Sequence, residues 1–171
     1  MVWVNLGLGS NINPEANLAS CLDALLLQFK DLALSSVFRS KARGYTGADY
    51  LNMAVGFNTD IPLQQLALQL KKIEDKHGRD RSAERPSGAT LDIDLLTYGD
   101  KAGRFDNIIL PRPDIIEAAH VLKPLSQMAS RYKHPVLKLS YAQLWKDFHD
   151  PQQQLTPVAF TWHDRVISKG A

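Results

Sequence analysis

The stretch that decides the fold is YLNMAVGFN, residues 50–58. It is rich in apolar residues and ends shortly before the turn at Pro62, so we predict a strand here. Before it lies a loop over residues 40–49, which contains two glycines and no apolar period. A further strand is predicted over residues 32–39.

Two helices flank this pair of strands. Asn13 is a suitable N-cap and Pro14 suits the first helical position, so we predict that the first helix begins there. Its buried face consists of apolar residues at helical spacing: Leu18, Cys21, Leu22, Leu25, Leu26 and Phe29. The second helix begins at Pro62 and ends at Gly78. Its apolar face consists of Leu63, Leu66, Leu70 and Ile73.

Two more strands are predicted over residues 2–8 and 91–98. The order β-α-β-β-α-β is typical of the ferredoxin-like fold. We therefore predict an α+β protein, with an antiparallel sheet, both helices on one face and C-terminal additions. Residues 1–135 form the main domain, and residues 136–171 form an extension that packs on it.

Four shorter elements are predicted after the last of these strands. They are a strand over residues 107–110, a helix from about Asp114 to His120, a helix over residues 141–148 and a strand over residues 157–162.

Composition excludes several classes of protein. The chain has 171 residues, 44% of them hydrophobic, and a net charge of +2, which gives no support to nucleic-acid binding or membrane association. No apolar run reaches the roughly 18 residues that a membrane span needs, and the N-terminus does not resemble a signal peptide. Cys21 is the only cysteine, so no intrachain disulfide can form. We expect a cytoplasmic protein.

The acidic pair Asp92 and Asp94 is the sharpest chemical feature of the sequence. On a strand, residues two apart point to the same face, about 6–7 Å from each other. Two carboxylates there would repel each other unless a divalent cation such as Mg²⁺ neutralised them. The alternative, which spacing alone does not exclude, is a strand edge with two solvated aspartates.

A loop over residues 79–90 precedes this strand and contains Arg79, Arg81 and Arg85. Arginines beside a metal-binding acid pair suit phosphoryl transfer, although the loop taken alone is better explained as a solvated basic loop. The glycines Gly7 and Gly9 do not complete a dinucleotide-binding motif, and no P-loop sequence occurs.

Several short motifs occur together in a set order. They are Leu8-Gly9-Ser10-Asn11, Asp49-Tyr50-Leu51-Asn52, Ile73-Glu74, Gly78-Arg79-Asp80-Arg81, Leu91-Asp92-Ile93-Asp94 and Tyr98-Gly99. With these motifs the chain resembles the 6-hydroxymethyl-7,8-dihydropterin pyrophosphokinase family of folate biosynthesis, from the first strand to about Pro135. The resemblance implies transfer of pyrophosphate from ATP to the hydroxymethyl group of a reduced pterin, with two Mg²⁺ ions and a ferredoxin-like fold.

The resemblance also assigns roles to individual residues. The catalytic set comprises Arg79, Asp92 and Asp94, of which the two aspartates bind the metal. The residues that contact ATP are Glu74, Arg81 and Arg112. The residues that contact the pterin are Asn52, Tyr50, Ser40 and His120.

The chain departs from the family pattern at several of these places. An arginine of the family is replaced at Ala89 and another at Ala118. Arg112 replaces a histidine, and His120 replaces a stacking aromatic residue. The pterin-side loop carries Lys41 and Arg43, two charges that do not suit a flat aromatic ligand.

Three hypotheses follow. The first is an active pyrophosphokinase, which we expect to be a monomer that binds ATP and a reduced pterin. The second is an altered or inactive paralogue that binds nucleotide or another anionic ligand, as the losses at Ala89 and Ala118 suggest. The third is an interaction domain with an incidental acid pair, which the joint occurrence of Asp92, Asp94 and Asn52 disfavours. We prefer the first, since Arg43 and Arg112 add charge that can compensate.

Overall fold

The computed structural model of the chain describes residues 1–44, 46–78 and 90–171. Its strands are β1 (Val2–Ser10), β2 (Ala33–Leu34), β3 (Val37–Ser40), β4 (Tyr50–Thr59), β5 (Asp92–Tyr98), β6 (Gly103–Phe105), β7 (Ile108–Leu110), β8 (Thr156–Val158), β9 (Phe160–Trp162) and β10 (Arg165–Ser168). Its helices are α1 (Pro14–Phe29), α2 (Leu63–Lys76), α3 (Asp114–Glu117), α4 (Ala119–Met128) and α5 (Tyr141–Lys146).

The main sheet is antiparallel, with the order β5-β1-β4-β3-β8 and with β2 also paired to β4. The long strands β1 and β4 pair with each other at its centre. Together with the helices, this confirms the prediction of a mixed α/β fold with an antiparallel sheet.

The two faces of this sheet carry different layers. Val4, Leu6 and Leu8 of β1 point to one face, where they share a buried cluster with α1 and α2. The apolar residues that the sequence assigns to these two helices supply that cluster, with Leu26 and Phe29 at its margin. On the opposite face, Leu96 of β5 belongs to a second cluster with α3, α4 and α5.

The strand predicted over residues 32–39 is interrupted, and this prediction was wrong in detail. β2 and β3 both pair with β4, but in registers that differ by one residue. Between them, the Ser35 amide donates to the Ala54 carbonyl, and the Ser35 hydroxyl accepts from the Ala54 amide. A side chain therefore replaces the backbone carbonyl in the ladder, which absorbs the extra residue as a bulge does.

The first helix begins at Pro14 as predicted, but the side chain of Asn13 makes no capping hydrogen bond. Asn13 has a left-handed backbone with φ of 43°. The Asn17 side chain instead donates to the Ile12 carbonyl at 2.6 Å. The second helix ends at Lys76, two residues before Gly78, whose φ is 78°.

The later elements are more divided than the sequence predicts. The helix expected from Asp114 to His120 is two helices, because Ala118 has an extended backbone between α3 and α4. The strand expected over residues 107–110 pairs with β6 in a hairpin, and that over residues 157–162 is split between β8 and β9. Phe160 and Trp162 of β9 join the larger cluster. None of the helices in the described part of the chain is both long and apolar enough to cross a membrane.

Candidate active site

The acidic pair lies on the sheet face opposite α1 and α2. Asp94 pairs with Gly7 and Asp92 with Gly9, so both carboxylates lie beside the glycines of β1. Burial raises the pKa of Asp94 to about 7, and the negative charge of Asp92 adds to the effect. The pair is therefore poorly stabilised when both groups are ionised, which is the electrostatic condition for binding a cation.

Arg112 supplies part of the missing positive charge. Its guanidinium lies 3.4 Å from Asp94 Oδ1 and 3.2 Å from Asp114 Oδ2. Burial disfavours its charged form, but Asp94 and Asp114 raise the pKa of Arg112 above its ordinary value. The Arg112 amide donates to the Leu96 carbonyl of β5 at 2.9 Å, which fixes this residue beside the acidic strand.

A cavity of about 160 Å³ lies next to the acidic pair. Its floor is formed by three adjacent strands, and its rim by the segment after β3 and the first turn of α4. The residues that line it are Gly7, Leu8, Gly9, Ser40, Lys41, Arg43, Tyr50, Asn52, Asp92, Asp94, His120 and Val121. This cavity is narrow and carries carboxylates at one end and an amide at the other.

Asn52 is the amide of this cavity, and it is only 4% exposed. Its Nδ2 donates to Ser40 Oγ at 2.8 Å and approaches the Phe38 carbonyl at 3.4 Å. These contacts hold the side chain against β3 and fix its orientation. A buried amide held in this way can bind the polar edge of a planar ligand with directional hydrogen bonds.

Two residues of the Leu8-Gly9-Ser10-Asn11 motif connect the site to neighbouring segments. The Ser10 hydroxyl donates to the Thr90 carbonyl at 2.6 Å, immediately before the acidic strand. The Asn11 amide donates to the Ala48 carbonyl at 3.0 Å, in the segment that leads to Tyr50. Both side chains are buried, so the motif anchors chain segments on either side of the cavity.

The rim of the cavity carries three basic side chains: Lys41, Arg43 and His120. Burial lowers the pKa of His120, and the positive charge of Arg43 lowers it further. The imidazole is therefore neutral at neutral pH and offers a flat, uncharged surface to a ligand. Lys41 and Arg43 are exposed residues whose side chains line the cavity.

A second cavity of about 420 Å³ lies between α2, β5 and the β6–β7 hairpin. Glu74 and Arg112 line it, together with apolar residues such as Leu70 and Ile108. Glu74 is buried, and its carboxylate accepts a hydrogen bond from the Ile93 amide at 2.9 Å. Because Arg112 also contacts Asp94, this second cavity adjoins the acidic pair.

Most of the candidate residues named from the sequence are thus grouped around two adjoining cavities. The 160 Å³ cavity brings together Asp92, Asp94, Asn52, Tyr50, Ser40 and His120. The 420 Å³ cavity contains Glu74 and Arg112. Arg79 and Arg81 lie outside the described residues, as does Ala89. Ala118 is 1% exposed and belongs to the second core cluster, so it cannot contact a ligand.

A third cavity, called the large cavity below, opens beside the 160 Å³ cavity and was not predicted from the sequence. It has a volume of about 770 Å³, and its outer wall is formed by residues 150–156. It shares Ser40, Lys41, Arg43 and His120 with the smaller cavity. No local motif marks residues 150–156 as part of a site, because their position depends on β8 pairing with β3.

Comparison with known proteins identifies related chains. Residues 5–130 match the family model described as 7,8-dihydro-6-hydroxymethylpterin-pyrophosphokinase. The 2-amino-4-hydroxy-6-hydroxymethyldihydropteridine pyrophosphokinase of Aquifex aeolicus is 29% identical, over 92% of this chain and 96% of its own. The protein of the same name from Haemophilus influenzae is 30% identical, over 88% of this chain and 95% of its own.

Solved structures show the same fold. A crystal structure of wild-type Plasmodium falciparum HPPK-DHPS with SDX-DHP superposes with a TM-score of 0.67 at 13% identity. The match covers 98% of this chain and 49% of that one, so this chain spans about half the length of the solved protein. A triple mutant of that protein with STZ-DHP superposes with a TM-score of 0.69, again at 13% identity, over 98% of this chain and 48% of the other.

Proposed function

The chain belongs to the 7,8-dihydro-6-hydroxymethylpterin-pyrophosphokinase family, and on that premise we propose that its reaction takes place where the acidic pair of β5 meets the 160 Å³ cavity. It is a diphosphokinase of folate biosynthesis that transfers the pyrophosphoryl group of ATP to 6-hydroxymethyl-7,8-dihydropterin. In the transfer, the hydroxymethyl oxygen forms a bond to the β-phosphorus of ATP, AMP leaves, and the hydroxyl proton is lost.

Enzymes of this family use ATP and magnesium, and we assign two ions to Asp92 and Asp94. The oxygen donors fit a hard divalent cation, and the two carboxylates lie together on one face of β5, where burial and the charge of Asp92 raise the pKa of Asp94. Among the described residues, no group of three or more His, Cys, Asp or Glu side chains is arranged to hold a metal. Water and phosphate oxygens would therefore complete the coordination, as is usual for magnesium.

Bound magnesium would neutralise negative charge on the phosphates during transfer. The residues of the chain would hold the two substrates in line and exclude water. Arg112 is suited to this task, because it lies between the acidic pair and the 420 Å³ cavity. Its guanidinium can turn from Asp94 and Asp114 towards a phosphate, where it would form charge-assisted hydrogen bonds.

We assign the 420 Å³ cavity to the nucleoside part of ATP. The support is its position beside Arg112 and its mixture of apolar side chains with the Glu74 carboxylate. Glu74 already accepts from the Ile93 amide, so it also holds β5 in place below the phosphates. Arg79 and Arg81 are assigned to the phosphates of ATP on their sequence motif alone.

We assign the smaller cavity to the pterin. Asn52 would bind the polar edge of the ring, and Ser40 keeps the amide in position. Tyr50 and the neutral imidazole of His120 would lie against the ring, so His120 replaces the aromatic residue usual in the family. The observation that carries this proposal is that Asn52, Asp92 and Asp94 line the same cavity.

Lys41 and Arg43 are the features that favour the alternative, a site for another anionic ligand. Arg43, however, faces charge of opposite sign. Hydrogen bonds from the Gln153 side chain and the Gln152 amide lower the pKa of Asp150, and the charge of Arg43 contributes to the same effect. Asp150 thus partly balances the positive charge of Arg43, so the site does not need an anionic ligand for that purpose.

Release of AMP from ATP, with Mg²⁺ and reduced hydroxymethylpterin, tests the assignment. We expect pterin-dependent AMP release by the wild-type protein and its loss in Asp92→Asn. The matched control is Asp100→Asn, which removes an exposed aspartate in the turn after β5 and should leave the rate unchanged. Equal rates in Asp92→Asn and the wild type would refute the assignment of the acidic pair.

Some expectations from the sequence also remain proposals. The sheet order and the shared cluster of α1 and α2 support a ferredoxin-like topology. The pairing of β8 with β3 supports an extension, residues 136–171, that packs on the domain formed by residues 1–135. We also propose a monomeric state and a cytoplasmic location, and the latter is supported by the presence of a single cysteine, Cys21.

A further inference from the structure

The segment 150–156 lies beyond residues 5–130, which match the family model, yet it forms a wall beside the site. Gln153 is the residue of this segment that makes the most specific contacts. Its Oε1 accepts from the Ala119 amide at 2.9 Å, and its Nε2 donates to the Glu117 carbonyl at 3.0 Å. The same Nε2 lies 2.9 Å from Asp150 Oδ2, which orients the Gln153 amide.

These contacts fall where α4 begins. The N-cap residue of α4 is Ala118, whose side chain cannot accept a hydrogen bond from the first turn. The Ala119 amide is the first of the four amide groups that a helix leaves without an internal partner. Gln153 supplies that partner from a distant part of the chain, and at the same time it binds the carbonyl at the end of α3.

His120 is the next residue along α4, and its side chain lines the small cavity. Its backbone position follows from that of Ala119, since a peptide bond joins them. A displacement of the α4 start by a fraction of an ångström would therefore move the imidazole against a bound ring. The Gln153 contacts restrict such displacement from the side of the large cavity.

We propose that Gln153 is a positioning residue for the acceptor site, which fixes the start of α4 and thereby holds His120 against the pterin. This inference rests on the proposed function, because it takes the small cavity as the pterin site. It gives the C-terminal segment a role in substrate binding in addition to its role in the sheet.

The chain offers a matched control at the other end of the same helix. Gln127 also joins α4 to a distant segment through two hydrogen bonds. Its Oε1 accepts from the Ser36 amide at 2.8 Å, and its Nε2 donates to Ser36 Oγ at 3.0 Å. Gln127 lies about 12 Å along the helix from Ala119 and does not line the small cavity.

Steady-state kinetics of Gln153→Ala and Gln127→Ala test the inference. We expect Gln153→Ala to raise the KM for the pterin about tenfold, because the Ala119 amide loses its partner and the start of α4 is no longer fixed. Its KM for ATP should stay within about twofold of the wild-type value. Gln127→Ala should lower the melting temperature by about as much as Gln153→Ala does, because each variant loses two side-chain hydrogen bonds to a distant segment of the chain. It should leave both KM values unchanged.

A double-mutant cycle with His120→Ala identifies the route of the effect. If Gln153 acts through His120, the double variant should have the pterin KM of His120→Ala alone. The ring signals of His120 in a nuclear magnetic resonance spectrum give a readout that is independent of turnover. They should shift in Gln153→Ala and remain in place in Gln127→Ala.

The outcomes separate this inference from the proposed function. A wild-type protein without pterin-dependent AMP release, but with His120 signals that move only in Gln153→Ala, would refute the function and leave the positioning role intact. An unchanged pterin KM in Gln153→Ala, or equal increases in Gln153→Ala and Gln127→Ala, would refute the positioning role in an active enzyme. Unchanged His120 signals would also refute it.

Discussion

On one face of β1, Val4, Leu6 and Leu8 are buried beneath α1 and α2. On the other face, Gly7 and Gly9 lie beside the acidic pair and leave room for a cavity. The alternation of a strand places adjacent residues of these two sets, such as Leu8 and Gly9, on opposite sides of the sheet. The first face contributes to the free energy of folding, and the second leaves space that a ligand can fill.

The second face uses glycine for two different reasons. A Cβ atom at Gly9 would lie 3.5 Å from Asn52 Oδ1, an ordinary contact distance, so it would occupy the cavity without a collision. A Cβ atom at Gly56 would lie only 2.3 Å from Trp3 Cζ2 and 3.0 Å from Met128 Cε. Gly9 therefore leaves space for a ligand, whereas Gly56 lets Trp3 and α4 approach the sheet.

The largest effect on stability is expected from the apolar face. Leu6→Ala leaves a cavity at a fully buried position and should lower the free energy of unfolding by about 2–5 kcal/mol. The rate per folded molecule and both KM values should stay at wild-type levels. Urea unfolding and steady-state kinetics on the same preparation measure the two quantities.

The control for Leu6→Ala is Leu27→Ala, since Leu27 lies on α1 and is 87% exposed. It should change the free energy of unfolding by less than about 0.5 kcal/mol. A change of pterin KM in Leu6→Ala would show that the two faces of β1 are coupled, and the comparison would fail.

The site face should give the opposite pattern. Asp94→Asn should reduce kcat about 10²–10³-fold, as the loss of one electrostatic contact to the transition state does. The pKa of Asp94 is raised, so between pH 3.8 and about 7 the folded protein keeps a proton that the unfolded chain loses. Ionisation of this group therefore lowers stability as the pH rises through that window, by an amount on the order of a few kcal/mol.

Unfolding of Asp94→Asn in metal-free buffer tests this part of the prediction. The variant should be at least as stable as the wild type above pH 7, and its stability should vary less with pH below that value. A variant that is less stable than the wild type at pH 8 would show that Asp94 supports the fold. That result would remove the contrast between the two faces.

The apolar face could be predicted from the sequence because it is periodic. Leu18, Cys21, Leu22 and Leu25 follow the helical period, and each is buried in the structure. The break at Ser35 could not be predicted in this way, because it depends on bonds between the Ser35 side chain and Ala54, nineteen residues later.

The candidate site could be predicted only where a motif carries its chemistry. Asp92 and Asp94 stand out because two carboxylates interrupt an apolar strand. Gln153 does not stand out, because its bonds go to backbone atoms of Glu117 and Ala119, which have no sequence signature. The division between α3 and α4 that creates these partners was likewise absent from the predicted helix.

A smaller effect on the site face is expected at its amide end. Asn52→Ala removes a buried directional contact and should weaken pterin binding by about 1–3 kcal/mol, with ATP binding unchanged. The control is Asn58→Ala, an exposed asparagine in the same strand. Fluorescence titration with a hydroxymethylpterin analogue measures the pterin affinity. Equal affinities of Asn52→Ala and the wild type would favour a different ligand in this cavity.

The smallest effect is expected where the C-terminal hairpin, formed by β9 and β10, contacts α1. Trp162 Nε1 donates to Asp23 Oδ1 at 2.9 Å, and His163 contacts the same oxygen. The bond from Trp162, followed by that from His163, lowers the pKa of Asp23 below its ordinary value of 3.8.

A carboxylate with a lowered pKa stabilises the fold above pH 3.8, and that contribution is lost as the pH falls through the pKa of the group in the folded protein. Because the side chain of Asp23 is 52% exposed, solvent screening limits the contribution to about 0.2–1 kcal/mol. Asp23→Asn should therefore show a small loss in urea unfolding at pH 7, a smaller loss as the pH falls below 3.8, and unchanged kcat and KM. A change in pterin KM in this variant would show that the hairpin reaches the site through the sheet, and the separation between the two faces would then be incomplete.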